Sequence, residues 1–289
     1  MNSRGKAAVR LTEKLLRTMP LPGPGGGKEE RGRVLIIGGS SQVPGAALLA
    51  ANAALRAGAG KLQVATARDV ATTLAVATPE ALVMGLAVDR RGEITRGSAV
   101  LDRALKACDA VLLGSGMRPS ATATALVRRA VRYAQGTVVL DAGALSPELR
   151  AAADKPYILT PHTGEMATLA GAEKSAVERE PQSFARDFAR HTRSVLVLKG
   201  ATTFIAAPDG ALWVYRSQCP GLGTSGSGDV LAGIIAGLAA RGADARQAAL
   251  WGVLLHGAAG RQVARSIGSL GFLAREIAGG VPGLLDRLA

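Results

Sequence analysis

From Arg33 onward, short β-rich apolar runs alternate with helix-spaced segments, and no other feature of the chain restricts its fold so strongly. The runs are VLIIGG (34–39), KLQVAT (61–66), ALVMGL (81–86), DAVLLGSG (109–116), TVVLDAG (137–143), YILTPHTGE (157–165) and SVLVLKG (194–200). Between them the spacing predicts helices over 45–58, just after Arg68, over 97–107, over 120–135 and near 175–191. TFIAAPDGALWVY (203–215) reads as a hairpin turning at Asp209 and Gly210, and the last third is helical. Strands that alternate with helices build a mostly parallel sheet with helices on both faces. Ligands of such sheets bind beyond the carboxyl ends of the strands. Gly38-Gly39-Ser40, Gly114-Ser115-Gly116, Asp141, Thr160-Pro161-His162 and Lys199-Gly200 all fall there.

A length of 289 residues with 48% hydrophobic side chains suits one α/β domain with small additions. Residues 1–31 read as a short helix near Thr12–Thr18 followed by a Gly/Pro-rich loop, and 32–289 as a single catalytic domain. Cys108 and Cys219 lie far apart without metal spacing, which argues for a reducing compartment and no disulfide. No apolar run reaches membrane-spanning length unbroken, and no h-region follows the basic N-terminus. A cytoplasmic protein that engages no membrane is expected. The net charge of +13 invites a nucleic-acid reading, but it is mostly arginine spread along the chain, and aromatics make up only 3%. An arginine-decorated surface that binds no nucleic acid accounts for it better, and a middle account is a field that helps to attract a polyanionic small molecule.

The most informative local stretch is CPGLGTSGSGDVLAGIIAGLAA (219–240). Glycines and small hydroxyl residues end in Asp229, and an apolar helix-spaced segment follows. Glycines 226 and 228 let another molecule approach the backbone. The free N–H groups of Gly226, Ser227 and Gly228, backed by the helix dipole, favour a phosphate. Asp229 then fits a carboxylate that takes a proton from a substrate hydroxyl, one that holds a metal ion between the charges, or a first-turn acid that complements the dipole. GxxxxGK[ST] is absent, and VLIIGGSSQVPG is not GxGxxG, so neither a P-loop nucleoside triphosphatase nor a dinucleotide oxidoreductase is indicated.

VPGAALLAANAALRAGAGKL, ATPE, GSGM, LDAGAL, LTPHTGE, VLKGATT, TSGSGDVLAGIIAGL and LHGAAG occur in that order. Over about residues 30–280 the chain closely resembles the ADP-dependent (S)-NAD(P)H-hydrate dehydratases of the ribokinase-like superfamily. The resemblance implies a ribokinase-like three-layer sandwich. It implies repair of hydrated NADH and NADPH with ADP as co-substrate and Mg2+ as cofactor, releasing AMP and phosphate. It further implies a homotetramer and a partner NAD(P)H-hydrate epimerase, for which this chain leaves no room.

By the family pattern Asp229 is the catalytic base and also contacts the hydrate, together with Ala46, Gly116 and His162. Lys199, Gly200, Ala201, Thr202, Thr203 and Gly228 match the nucleotide contacts, and Glu165 matches a glutamate that orders the metal's water shell. Without the resemblance each has a plainer reading. Lys199 is a lysine at a strand end, His162 a satisfied structural histidine and Glu165 a first-turn acid; Ala46 and Gly116 are packing residues. His191 and His256 are read as structural. Asp141 is assigned to metal support or the site floor. Many relatives have DADAL where this chain has LDAGAL, so Gly143 receives no role. The runner-up is an ATP-dependent kinase of a hydroxylated vitamin precursor, akin to hydroxyethylthiazole kinase. Such an enzyme would use the same turn, but the histidine of TPHTGE and the KGATT loop weigh against it.

Overall fold

The computed structural model describes residues 7–23, 25–148 and 157–288. In chain order the elements are β1 (Val9–Arg10), α1 (Glu13–Leu16), β2 (Arg33–Ile37), α2 (Pro44–Arg56), β3 (Lys61–Ala67), α3 (Ala71–Ala77), β4 (Ala81–Leu86), α4 (Ala99–Ala107), β5 (Ala110–Leu113) and α5 (Ala121–Tyr133). They continue with β6 (Thr137–Leu140), β7 (Tyr157–Leu159), α6 (Thr163–Ala170), α7 (Lys174–Arg179), α8 (Pro181–Thr192), β8 (Val195–Leu198), β9 (Thr202–Ala206) and β10 (Leu212–Arg216). Helices α9 (Ser227–Ala240), α10 (Ala245–Ser266), α11 (Ala274–Ile277) and α12 (Val281–Leu288) complete the chain.

The strands form one sheet in the order β1-β10-β9-β8-β7-β6-β5-β2-β3-β4. Only β9 runs against the rest; it pairs antiparallel with both β8 and β10. Strands β2, β5 and β8 are continuous apolar runs because both faces are covered. Alternate residues feed two cores. Val34 and Ile36 join the core under α2, α9, α10 and α12, while Leu35 and Ile37 join that under α4, α5, α6 and α8. The three layers are therefore helices, sheet and helices, as the alternation predicts.

Small residues bring α2 against α9. A Cβ on Gly233 would lie 2.2 Å from the Ala50 carbonyl oxygen, and one on Gly237 would lie 2.4 Å from that of Ala54. Backbone thus packs on backbone, which holds the N-terminus of α9 at a set height above the sheet.

Three local readings need correction. The segment near 175–191 is two helices, because Pro181 opens a new one at its N1 position. TVVLDAG is extended only to Leu140; Ala142–Ala144 form a 3-10 turn, with Ala142 at φ 45°. The N-terminal helix, capped by the Thr12 hydroxyl, ends at Leu16, and β1 precedes it at the sheet edge. This segment is tied to the body through buried Leu11 and Leu16, and Trp251 Nε1 donates to the Met19 carbonyl (2.9 Å). Both cysteines are buried and unpaired. Among the described residues no helix is long and apolar enough to cross a membrane.

Candidate active site

The chain leaves β2 for β3 and β4 on one side and returns to β5 on the other, so the loops after β2 and β5 flank a reversal of strand order. These loops are laced together: Gly39 N–H donates to the Ser115 carbonyl (2.8 Å) and Ser40 N–H to that of Gly116 (3.0 Å). Gly116 has φ 69°, and a Cβ there would lie 2.5 Å from the Val43 carbonyl oxygen and 2.9 Å from Ala46 Cβ. Ala46 and Gly116 are therefore neighbours at the mouth, and no larger side chain fits between them.

Asp229 stands at the third position of α9, after Gly226 at the N-cap with φ 87°. The first helical N–H groups lack intrahelical acceptors. Ser227 N–H turns to the Thr224 carbonyl (3.3 Å), and Val230 N–H closes the first helical bond to Gly226. The N–H groups of Gly228 and Asp229 find no backbone acceptor among the described residues; that of Asp229 faces its own carboxylate, and a helix end of this kind favours an anion. Burial, then the charge of Asp141, raises the Asp229 pKa to about 6; the Ser115 hydroxyl facing it and the Lys199 ammonium oppose the rise. A carboxyl so poised is suited to accept a proton near neutral pH.

Lys199 is the charged hub. Its Nζ donates to Asp141 Oδ1 (2.8 Å) and lies 3.9 Å from Glu165 Oε2. It also lies 3.4 Å from where a Cβ on Gly228 would be, at the edge of the anion-binding turn. Burial disfavours its charge, but Asp141, Glu165 and Asp229 outweigh that and hold its pKa above the ordinary value. Asp141 is itself buried and also accepts from Thr160 Oγ1 (2.6 Å). The 3-10 turn after β6 aims it there, and Gly143 is part of that turn's fit: a Cβ at 143 would strike the Met117 carbonyl at 2.4 Å.

His162 and Glu165 form a capping box on α6. His162 Nδ1 accepts from Gly164 and Glu165 N–H (2.9 and 3.1 Å), and Glu165 Oε2 accepts from His162 N–H (2.7 Å). The plainer structural readings of both residues therefore describe real bonds. The imidazole is nonetheless largely exposed, and its Nε2 is left facing outward, 3.6 Å from Glu165 Oε1. Gly200 and Ala201 make the exposed turn between β8 and β9. Thr202 and Thr203 already belong to β9, and the Thr203 hydroxyl closes the turn on the Gly200 carbonyl (3.2 Å). A cavity of about 390 Å3 adjoins this group, lined in part by Met117, Ala142, Gly143, Glu165 and Thr168.

Among the described residues no group of three or more His, Cys, Asp and Glu side chains is arranged to hold a metal ion. Asp141 and Glu165 face an ammonium instead. Such a donor set suits a magnesium ion carried by phosphates and water, with the carboxylates reaching it through that water.

Sequence reading names Asp229, Lys199, Gly228 and Glu165 separately, and the fold brings them together. It gives no role to Ser115 or Thr160, although both lie inside the quoted motifs. His256 is buried against Ser227, a contact that no local signal marks.

Fold and grouping together define an α/β protein with a glycine-rich helix N-terminus, a carboxyl of raised pKa and a lysine gathered beyond the strand ends. The chain belongs to the NAD(P)H-hydrate dehydratase family, whose sequence model matches residues 34–282. It is 62% identical to the ADP-dependent (S)-NAD(P)H-hydrate dehydratase of Xanthomonas campestris, over 98% of both chains. It is 39% identical to a bifunctional NAD(P)H-hydrate repair enzyme of Moorella thermoacetica, of which it spans 50%. The Bacillus subtilis ADP/ATP-dependent NAD(P)H-hydrate dehydratase, co-crystallised with ATP and Mg2+, superposes with a TM-score of 0.81 at 30% identity, covering 98% of this chain and 99% of that one. The fold is thus the ribokinase-like one that the resemblance implies.

Proposed function

We propose that this protein dehydrates the S hydrates of NADH and NADPH at the expense of ADP, giving the reduced nucleotides, AMP and phosphate. The observation that carries the reading is a carboxylate with its pKa near 6, seated in a glycine-rich helix turn beside a half-buried lysine. The 62% identical relative supports the reaction and the donor.

Hydroxide is a poor leaving group and phosphate a good one. Asp229 accepts the proton of the ring hydroxyl as the hydroxyl oxygen bonds to the terminal phosphorus of ADP and AMP departs. The N–H groups of Gly228 and Asp229, with the Lys199 ammonium, hold the phosphoryl oxygens while charge shifts among them. The ring nitrogen's electron pair then expels phosphate, and loss of a proton from the adjacent ring carbon restores the double bond. Ala46 and Gly116 form the close wall against which the hydrate lies, and His162 Nε2 reaches it from the end of α6. Gly200, Ala201, Thr202 and Thr203 line the nucleotide side. Glu165 and Asp141 would hold a magnesium ion through its water shell, and that ion would supply neutralisation of phosphate charge.

The same reading includes a homotetramer and a cytoplasmic setting. It also includes an NAD(P)H-hydrate epimerase as functional partner, a pairing suggested by the bifunctional repair relative, half of which this chain matches. The test is phosphate release from hydrated NADH with ADP, followed together with recovery of NADH absorbance. Phosphorylation of a thiazole alcohol with ATP, without hydrate repair, would replace this reading by the kinase.

A further inference from the structure

The chain between Tyr215 and Ser227, which delivers the anion-binding turn, has little regular structure of its own. It holds one 3-10 turn, Pro220–Gly223, and a strained residue, Gln218, at φ 51°. Its shape comes from α10. Residues 256, 257, 260 and 261 share one face of that helix, and each meets the loop or the end of the strand before it. Arg261 Nη1 donates to the Tyr215 hydroxyl (2.6 Å) and to the Ser217 carbonyl (3.1 Å). A Cβ on Gly257 would lie 2.3 Å from the Tyr215 hydroxyl, and one on Gly260 would lie 2.5 Å from Leu222. At the far end, His256 Nε2 and Ser227 Oγ share a hydrogen bond of 3.1 Å.

Both ends of that last bond are buried. The Ser227 hydroxyl is bonded to α10, and that bond anchors the turn. Burial pushes the His256 pKa down to about 4, so the ring stays neutral and the bond persists across the working pH range. An apolar side chain would fill the same space, but it would strand a buried hydroxyl.

We propose that His256 is a positioning residue: acting through Ser227, it holds the first turn of α9 so that the Gly228 and Asp229 N–H groups and the Asp229 carboxylate stay aligned on the transferring phosphoryl group. This rests on the reading above that the turn receives that group. His256 does not touch substrate; it is the catalytic end of the row by which α10 templates the loop.

The test compares Ser227→Ala, His256→Leu, the double variant and His256→Gln, whose amide reaches the Nε2 position. In phosphate release, Ser227→Ala and His256→Leu each lower kcat about tenfold, while KM for ADP changes less than about threefold. The double variant is no slower than either single, and His256→Gln recovers most of the loss. With ADP bound, hydrogen exchange at the Gly228 and Asp229 amides accelerates in both single variants, a readout that needs no turnover. Full kcat in Ser227→Ala, multiplied losses in the double variant, or glutamine no better than leucine would overturn the proposal. If His256→Leu fails to fold, Ser227→Ala alone decides. Wild-type protein that repairs no hydrate would overturn the reaction instead, and the exchange rates would still judge the anchor.

Discussion

Replacing Asp229 by asparagine is expected to stabilise the protein while removing turnover, and the size of the gain follows from where the carboxylate sits. Burial and the neighbouring Asp141 raise its pKa from the ordinary 3.8 to about 6. At about 1.4 kcal/mol per tenfold change in an equilibrium, keeping this group ionised costs the folded state about 2–3 kcal/mol. The sign is set by the direction of the shift. A carboxyl whose folded pKa is raised supports the fold while protonated; that support is complete below about pH 4 and is lost as pH rises through about 6. Asparagine never ionises. The variant is therefore level with wild type near pH 3.5, pulls ahead between about pH 4 and 6, and keeps a constant lead above that. At pH 8 the lead corresponds to about 4 °C in melting temperature. Turnover falls by about 100-fold or more, because the proton acceptor is gone while the anion-binding N–H groups remain. Thermal melts of both proteins across the pH range, paired with phosphate-release rates, check both halves. Equal melting temperatures at pH 8 would refute the buried-charge argument, and turnover within tenfold of wild type would remove Asp229 from the base role.

Three further outcomes are expected. Lys199→Met leaves Asp141 buried without its cation and lowers stability by about 3 kcal/mol in urea unfolding; adding Asp141→Asn restores stability but not ADP binding. Gly116→Ala forces a Cβ against the Val43 carbonyl at a left-handed φ, so hydrate turnover falls at least about tenfold while calorimetric ADP affinity holds. An equal loss of ADP affinity would show that this wall does not face the hydrate. Gly233→Ala pushes α2 from α9 and costs about 3 kcal/mol, with a fall in kcat as Asp229 moves, both read on the same preparation.

The strand-and-helix order was legible because a parallel sheet buried on both faces leaves an unambiguous mark: VLII, AVLL and VLVL have no polar side to hide. Boundaries were less legible where a single residue decides them. Pro181 splits one apparent helix, and the turn at Ala142–Ala144 ends a strand that composition alone would extend. The edge strand Val9–Arg10 is exposed and two residues long, so it leaves no periodic trace.

For the site, sequence was enough to mark Asp229 within its glycine turn, because that signal lies in consecutive residues and reflects local backbone demands. Sequence likewise placed the motifs at strand ends, since chain order and sheet handedness put them there. Only the tertiary structure decided which charges meet. Asp141 and Lys199 are 58 positions apart and Ser227 and His256 are 29 apart, yet each pair is bonded. Such pairings depend on the height and rotation of packed helices, set by contacts such as Gly233 on Ala50. Burial, and with it the raised pKa of Asp229, is a property of that packing and of no residue alone.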